Sequence, residues 1–455
     1  MSIVLPGLPD ALANLVQDRT LERIYHDALF SRLLFRSEAS AEPWQANIGD
    51  RMVFTRTGLL PVSLRPLTPG QDPTPKGYSM EQWEAEAAQY GDAIDTHMPT
   101  SYVTLAPLFL RNTVQLGLQA GETLNRLVRN RLFRAYLAGT TNLAVAATAG
   151  QTQMVVASIN GFTETLVNAR PTPVGPAAPL AATVNAEVIS IIGAVPLNPA
   201  DPFGVGTLFL AAALGTSPAV RSPVLATNRS RITRVGGGSS IDAITAPNII
   251  TMQDIINAVT RLRSAKIPPC SDGFYHVHMT PEGEAEIFAD PVFQRLYQSL
   301  PDSATYRDYA IGQLLGCRFY RNTENPGTEN SGALVASGSS AQVSGEVGAD
   351  VVNAAGIPIR RAIVVGGGSI YEKYLDESKY ITEAGVTGKI GSFSVVNNGV
   401  QVMTQRIRYI LRAPQDRLQQ VVGQAWSWSG DFAVPSDALT GDAARYKRAV
   451  VIEHA

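Results

Sequence analysis

His276 and His278 form an H-x-H pair, and on a strand a spacing of two puts both imidazoles on one face, as some metal sites require. No Cys, Asp or third His is expected to stand near them, so the plainer reading is a half-exposed strand face. The glycine runs at 235–238 and 366–368 invite a phosphate loop. Neither fits G-x-x-x-x-G-K-[ST] or a complete G-x-G-x-x-G. Val364-Val365-Gly366-Gly367-Gly368-Ser369 does follow a strand-like run, which keeps a nucleotide-using enzyme as an alternative, with a close-packed turn as the default. Cys270 sits in a Pro-Pro-Cys-Ser turn without a nucleophile signature, no G-x-S-x-G occurs, and no carboxylate pairs with a recognisable acid/base partner. No catalytic set, metal or cofactor is therefore expected. Asn228-Arg229-Ser230 matches a glycosylation sequon but has no secretory signal to give it meaning.

The elements around these residues explain the chain better than the residues do. The longest helical pattern runs from Leu105 to Gly139, with Leu110, Val114, Gly117, Gly121, Leu124, Val128, Leu132 and Ala135 at steps of three and four. Pro107 fits its first turn, and Gly139 stands where a left-handed cap is wanted. Some thirty residues at 1.5 Å each make a rod of roughly 45 Å. Gly117 and Gly121 lie on the stripe, where another backbone can approach closely, and the tail strands are the expected neighbour. Arg111, Arg126, Arg129, Arg131 and Arg134 flank it, and salt bridges to acidic residues are a plainer use for them than phosphate contacts. This is a spine rather than an active site.

Residues 1–48 read as an arm with an amphipathic helix over Leu21–Phe35, capped by Thr20, that buries its apolar residues on a neighbour. Residues 49–97 read as a long hairpin. Its outgoing strand places Met52, Phe54 and Arg56 on one face, and its Pro-rich middle holds Lys76 alone near the tip. The returning segment, with Met80, Trp83, Glu81, Glu84 and Glu86, reads as a largely exposed ribbon. A two-stranded ribbon is marginal alone, so it is a candidate for reaching another subunit. Phe54, Arg56, Lys76, Trp83, Arg126, Arg129 and Arg134 are the candidate inter-subunit contacts.

From 141 to about 245 the composition turns to Ala, Val, Thr, Pro and Gly, with strand-like pieces between turn residues, as in an inserted all-β module. Residues 246–384 alternate helix and strand: TMQDIINAVTRLRSAKIP with Thr251 as cap, then DGFYHVHMT, PEGEAEIFAD, GCRFYRNT and RRAIVVGG. Residues 385–455 are β again. Val400–Leu411 reads as one strand with a slip at Met403, entered through an Asn397-Asn398-Gly399 turn.

At 455 residues the chain exceeds one ordinary core. A net charge of −2 gives no electrostatic reason for tight nucleic-acid binding, and two cysteines imply no disulfide framework. The first residues lack the features of a signal peptide, and no apolar run is long enough to span a membrane. A soluble protein is expected.

IGDRMVFTR, YGDAID, TMQDIINAVTRLRSAKIPP with DGFYHVHMTPEGEAEIFADPVFQ, and LQQVVGQAWSWSGDFAV…ARYKRAVVIEHA, in that order, resemble the major capsid proteins of tailed bacteriophages. The resemblance covers about four-fifths of the chain and least of 141–240. It implies an α+β, HK97-like fold: an N-terminal arm (1–48), an extended loop lying over a neighbouring subunit (49–97), and a peripheral domain with the spine (98–140). It further implies an inserted β-rich domain (141–245), an axial domain meeting its symmetry mates (246–384) and a tail returning to the peripheral domain (385–455). It implies self-assembly into hexamers and pentamers of an icosahedral shell around double-stranded DNA. The virion is then its location, with a portal protein at one vertex and a separate scaffolding or decoration protein as further partners. Some members of that family weld the shell with a lysine–asparagine bond. Lys76 is the one lysine in the ribbon, but no acidic catalyst or asparagine partner is matched to it. A β-rich surface protein binding a host or decorating a shell through 141–245 is the alternative of a different class.

Overall fold

The computed structural model describes residues 19–30, 34–44, 49, 51–58, 60, 62–64, 66, 70, 72–78, 80–99, 108–168, 170–199, 201–298, 312–322, 351–376, 386–390, 392–396, 399–414, 416–418, 420–437 and 445–455. Two units divide the chain: Met1–Met52, Glu84–Val128 and Tyr371–Ala433 form the first, and Val53–Trp83, Arg129–Ile370 and Val434–Ala455 the second.

In the first unit an eight-stranded sheet runs in the order Ala39–Trp44, Ile370–Leu375, Val421–Ala433, Ile407–Arg412, Gly399–Thr404, Phe393–Val396 and Val386–Ile390. Ala88–His97 also pairs with Val421–Ala433. Val400–Leu411, expected as one strand, is two. Thr404 pairs with Ile407, and Gln405 and Arg406 both take positive φ (49° and 65°), the backbone of a two-residue hairpin turn. The slip in alternation at Met403 was this turn, carried by Gln-Arg rather than by the Asn/Gly pair that usually marks it. Val396 pairs with Gly399, and the turn expected at Asn397-Asn398 lies outside the described residues.

The arm helix is shorter than expected, Thr20–Phe30, and a 3₁₀ turn follows at Phe35–Glu38. It does not keep its apolar face for a neighbour. Leu21, Tyr25 and Leu29 are fully buried, and the Tyr25 ring lies 4.7 Å from that of Tyr409 in the sheet. The reason is electrostatic as well as apolar. Arg36 grips the buried Glu372 carboxylate with Nε (3.2 Å) and Nη2 (2.6 Å), and Nη2 also donates to the Gln405 carbonyl (3.0 Å). Arg406 approaches the same carboxylate at 3.3 Å.

The spine helix, expected over Leu105–Gly139, spans Leu108–Tyr136, with Pro107 outside the described residues; residues 108–128 belong to the first unit and 129–136 to the second. Its buried face is two residues wide: 116–117, 120–121, 124–125, 128–129 and 132–133 are buried, whereas Leu110 and Val114 are half-buried. The expected stripe was therefore right in its lower half and turned at its top toward Phe109, Thr113 and Leu116. The helix ends where Gly139 adopts φ +78°, as its cap role requires.

The second unit holds two large sheets with separate cores. Thr140–Asn142, Pro223–Ala226, Leu180–Val184, Glu187–Pro196, Gly206–Leu210 and Gln153–Val156 form a six-stranded antiparallel sheet in that order. Its ends meet. Leu143 bridges Val156, Ala144 N–H donates to the Val155 carbonyl and Ala157 N–H to the Asn142 carbonyl, both at 2.9 Å. The inserted stretch is thus a closed barrel, a form without sheet edges, filled by Phe162, Leu180, Ile191, Leu208 and Val224 among others.

The other sheet runs Ile232–Arg234, Ala449–His454, Pro358–Val365, Tyr275–Met279, Cys317–Arg321 and Gln313–Leu314, covered by the helices Met252–Ser264, Pro281–Ala289 and Pro291–Gln298. Thr251 stands at the expected cap position of the first helix and forms a capping box with Asp254. Two assignments differ from expectation. The last strand, read as part of a tail returning to the peripheral region, pairs instead with Pro358–Val365. Ile232–Arg234, read as the end of the β module, runs parallel to it. One rung explains both: Glu453 stands opposite Arg361 on one side and Arg234 on the other, and its carboxylate holds both guanidiniums (3.1 and 2.8 Å).

Where the barrel meets this sheet, Arg221 pairs bidentately with Asp242 (2.6 and 3.0 Å), and Ala354 N–H donates to the same carboxylate at 2.8 Å. Burial pulls the Asp242 pKa up, but the Arg221 and Ala354 hydrogen bonds win and hold it below the usual value. A group depressed in the folded state stabilises it above its unfolded pKa, about 3.9, and loses that contribution as pH falls through the folded value. Asp242→Asn is therefore expected to melt below the parent at pH 6, with the gap closing toward pH 3, by thermal scans across that range.

Candidate assembly surface

The ribbon begins as two paired strands, Arg51–Thr57 and Met80–Glu86. Alternation on the first strand is as expected, with Met52, Phe54 and Arg56 turned to the half-buried side and Arg51, Val53, Thr55 and Thr57 exposed. Phe54 stacks on Trp83 at 5.4 Å with the rings 4° from parallel, and Trp83 is buried.

Beside that stack, Arg56 Nη2 stands between two buried carboxylates, Glu81 (3.3 Å) and Asp437 (2.8 Å). Glu81 was expected on an exposed ribbon face and is instead fully buried, because Arg56 compensates its charge and the Ser436 hydroxyl donates to it. Arg448 completes the arrangement, with Nε on Asp437 (3.1 Å) and Nη1 on the Gly367 carbonyl (2.8 Å). Lys447 is buried nearby, and its pKa is lowered by burial and by Arg231 against the pull of Asp437 and Glu81. The ribbon base is bolted to the C-terminal segment, so Phe54, Arg56 and Trp83 have partners within their own chain.

Beyond the base the ribbon presents the opposite character. Leu60, Val62, Leu64, Tyr78 and Met80 are all exposed, Val62 to 79% and Leu64 to 88%. Lys76, also exposed, donates to the Val62 carbonyl at 3.3 Å. Exposed apolar side chains gathered in one segment are the usual mark of an interaction surface.

The spine arginines find partners inside the chain. Arg126 faces Glu122 one turn back (3.9 Å), the buried Arg129 donates from Nε and Nη2 to Asn130 Oδ1 (2.9 and 2.7 Å), and the Arg134 guanidinium lies 3.9 Å from the centre of the Phe203 ring. Glu122 is an acidic partner of the kind foreseen for them. Gly117 and Gly121 are both buried. The neighbour of Gly117 is the arm helix rather than the tail strands: a Cβ there would stand 2.9 Å from both Ala28 Cβ and the Tyr25 carbonyl. Gly117→Leu is expected to displace the arm helix and destabilise the first unit by at least 1–3 kcal/mol, the usual cost of overpacking. Urea unfolding followed by tryptophan fluorescence measures it.

The residues that drew chemical attention are packed as follows. The strand Tyr275–Met279 is buried throughout, so His276 and His278 do not lie on a half-exposed face. Nor is the pair without an acidic neighbour, as had been expected: the chain folds Asp272 back so that its Oδ2 lies 3.0 Å from His276 Nε2, while His278 stacks on Tyr320 at 5.0 Å. The 366–368 turn is packed against carbonyls: a Cβ at Gly367 would lie 2.5 Å from the Pro269 oxygen. Acceptor oxygens at that distance oppose a phosphate. Cys270 and Cys317 are free thiols, and burial pushes Cys317 up to about 11 despite the nearby Arg263. No described helix is long and apolar enough to cross a membrane.

No family model matches the sequence, and no curated protein matches it. Among solved structures the chain is similar to the capsid of the cyanophage P-SCSP1u, with 10% identity, 93% of this chain and 88% of that chain covered, and a TM-score of 0.49. It is also similar to the capsid of Ralstonia phage GP4 (13% identity, 93% and 91% covered, TM-score 0.47) and to that of cyanophage Pam1 (11%, 95% and 92%, 0.47).

Proposed function

We propose that the chain is a phage major capsid protein, many copies of which build a closed shell around double-stranded DNA. The observation that carries this reading is the ribbon: a base locked by Arg56, Glu81 and Asp437 holding out Leu60, Val62, Leu64, Tyr78 and Met80. A monomer gains nothing from such a loop, whereas a subunit whose neighbour covers it gains about 25 cal/mol for each Å² of apolar area buried. The sequence segments that resemble tailed-phage capsid proteins point the same way. In this reading residues 49–97 are the extended loop of an HK97-like subunit, the spine and the eight-stranded sheet belong to a peripheral domain, and 246–384 with the last strand form the axial domain. Hexamers and pentamers, a portal protein at one vertex, and a separate scaffolding or decoration protein are its implied partners. The shell forms in the host cell and is part of the virion.

The role is structural rather than catalytic, as the packing of the His pair and the glycine turn favours. Sedimentation velocity of the purified chain tests the proposal. Megadalton particles are the expected result, and a single small species at every concentration and salt tried would refute it.

A further inference from the structure

One turn of the second unit gathers Cys270, Asp272 and His276, three residues within seven positions. The Cys270 N–H donates to the Phe274 carbonyl and the Gly273 N–H to the Cys270 carbonyl, both at 2.9 Å, with Gly273 at φ +85°. The turn delivers the chain into Tyr275–Met279, where His276 stands opposite Val365 in the sheet. Cys270 Sγ donates to the Val365 carbonyl at 3.7 Å, on that same rung. A ring nitrogen of His276 accordingly lies within 4.8 Å of Cys270 Sγ. That is looser than a hydrogen bond, as nucleophile–base pairs often are before a reactant binds.

Asp272 sets the state of the imidazole. Burial raises its pKa, but hydrogen bonds from His276 and the Phe274 N–H, with the nearby Arg318, hold it below the usual carboxylate value. An ionised carboxylate only accepts, so in the neutral ring Nε2 carries the hydrogen and Nδ1 keeps its lone pair. Nucleophile, base and orienting acid stand in series.

The surroundings select the reaction. Acyl transfer needs free N–H donors for an oxyanion. Here Cys270 faces a carbonyl, and the N–H groups of the adjoining Gly366 and Gly367 are spent on the Arg448 and Pro268 carbonyls, both at 2.8 Å. Attack on a disulfide needs no such donors, because the charge leaves on sulfur. Cys270 is half-buried and within reach of a small reactant. Cys317 is fully buried, with its thiol pushed up to about 11 by that burial, and does not compete.

We infer that Cys270 is a modification site for low-molecular-weight disulfides, with His276 accepting the thiol proton and Asp272 positioning His276. The freed sulfur attacks one sulfur of the disulfide and a mixed disulfide forms. The old S–S bond breaks, and its electron pair leaves with the second sulfur, which takes the proton back from His276. One reactant is consumed per chain, so the site coexists with a structural role and does not depend on shell formation.

Dithiobis(nitrobenzoate), whose released thiolate is coloured, tests this at neutral pH, with peptide mass spectrometry locating the adduct. Cys270 in the folded chain should react about tenfold faster than the same thiol in the urea-unfolded chain, and Cys317 only after unfolding. A folded Cys270 that reacts no faster than the unfolded one overturns the inference, including where the variants fail to fold. His276→Gln should lose that advantage and Asp272→Asn most of it. Added imidazole should restore both variants and leave the parent unchanged, which a mere loss of packing would not allow. A His276→Gln chain reacting at the parent's rate overturns His276 as the proton acceptor.

Discussion

Replacing Glu453 with alanine is expected to cost about 3–5 kcal/mol, the usual penalty for breaking a buried ion pair from one side. Arg361 and Arg234 flank Glu453 on a single rung, with side-chain exposures of 0% and 8%, so both lose a buried carboxylate partner when it is removed. The effect should be local. Hydrogen exchange should show Pro358–Val365 and Ala449–His454 losing protection while the sheet of the first unit keeps its own. Glu453→Gln retains shape and acceptors but removes the charge, so it should fall between parent and alanine. Full protection in the alanine variant would mean that the rung does not hold the C-terminal strand.

The second large effect concerns association rather than folding. Changing Leu60, Val62, Leu64 and Tyr78 together to serine should leave the melting curve nearly unchanged, because these side chains are exposed in the single chain. Assembly should be lost. Each large apolar side chain moved from full exposure to full burial contributes about 1.5–3 kcal/mol, so four of them exceed what a modest subunit contact can spare. Light scattering against concentration reads the loss. Wild-type assembly by the serine variant would show that the loop is not part of the interface.

Much of this architecture was legible in the sequence because periodicity reports burial. The existence of the spine helix, the cap at Thr251, and the Phe54/Arg56 face all followed from spacing and cap chemistry. What escaped was set by pairing at long range. Glu81 reads as an exposed acid until Arg56 and Asp437 are brought to it, and Glu372 reads as one until Arg36 arrives from the arm. Glu453 has the same character: no local pattern marks a carboxylate whose two partners lie at positions 234 and 361. A signal was available in the composition of the strands. Glu372 and Glu453 each sit inside an apolar run, IYEKYL and AVVIEH, where an acid survives only if it is paired. The hairpin at Gln405-Arg406 was hidden for a different reason, since its residues are not those that favour positive φ.

The association of the ribbon is also what the sequence pattern anticipated least specifically. Pro-rich composition marked 58–79 as non-core but could not tell a solvated loop from one bearing exposed Leu60, Val62 and Leu64. That distinction separates a decorated monomer from a shell subunit. Cryo-electron microscopy of the particles formed by the purified full-length chain tests it most directly. Closed icosahedral shells of uniform diameter, with the 58–79 loop of each subunit lying on a neighbour, are the predicted result. A monodisperse monomer or small ring that never closes, with that loop left in solvent, would contradict it.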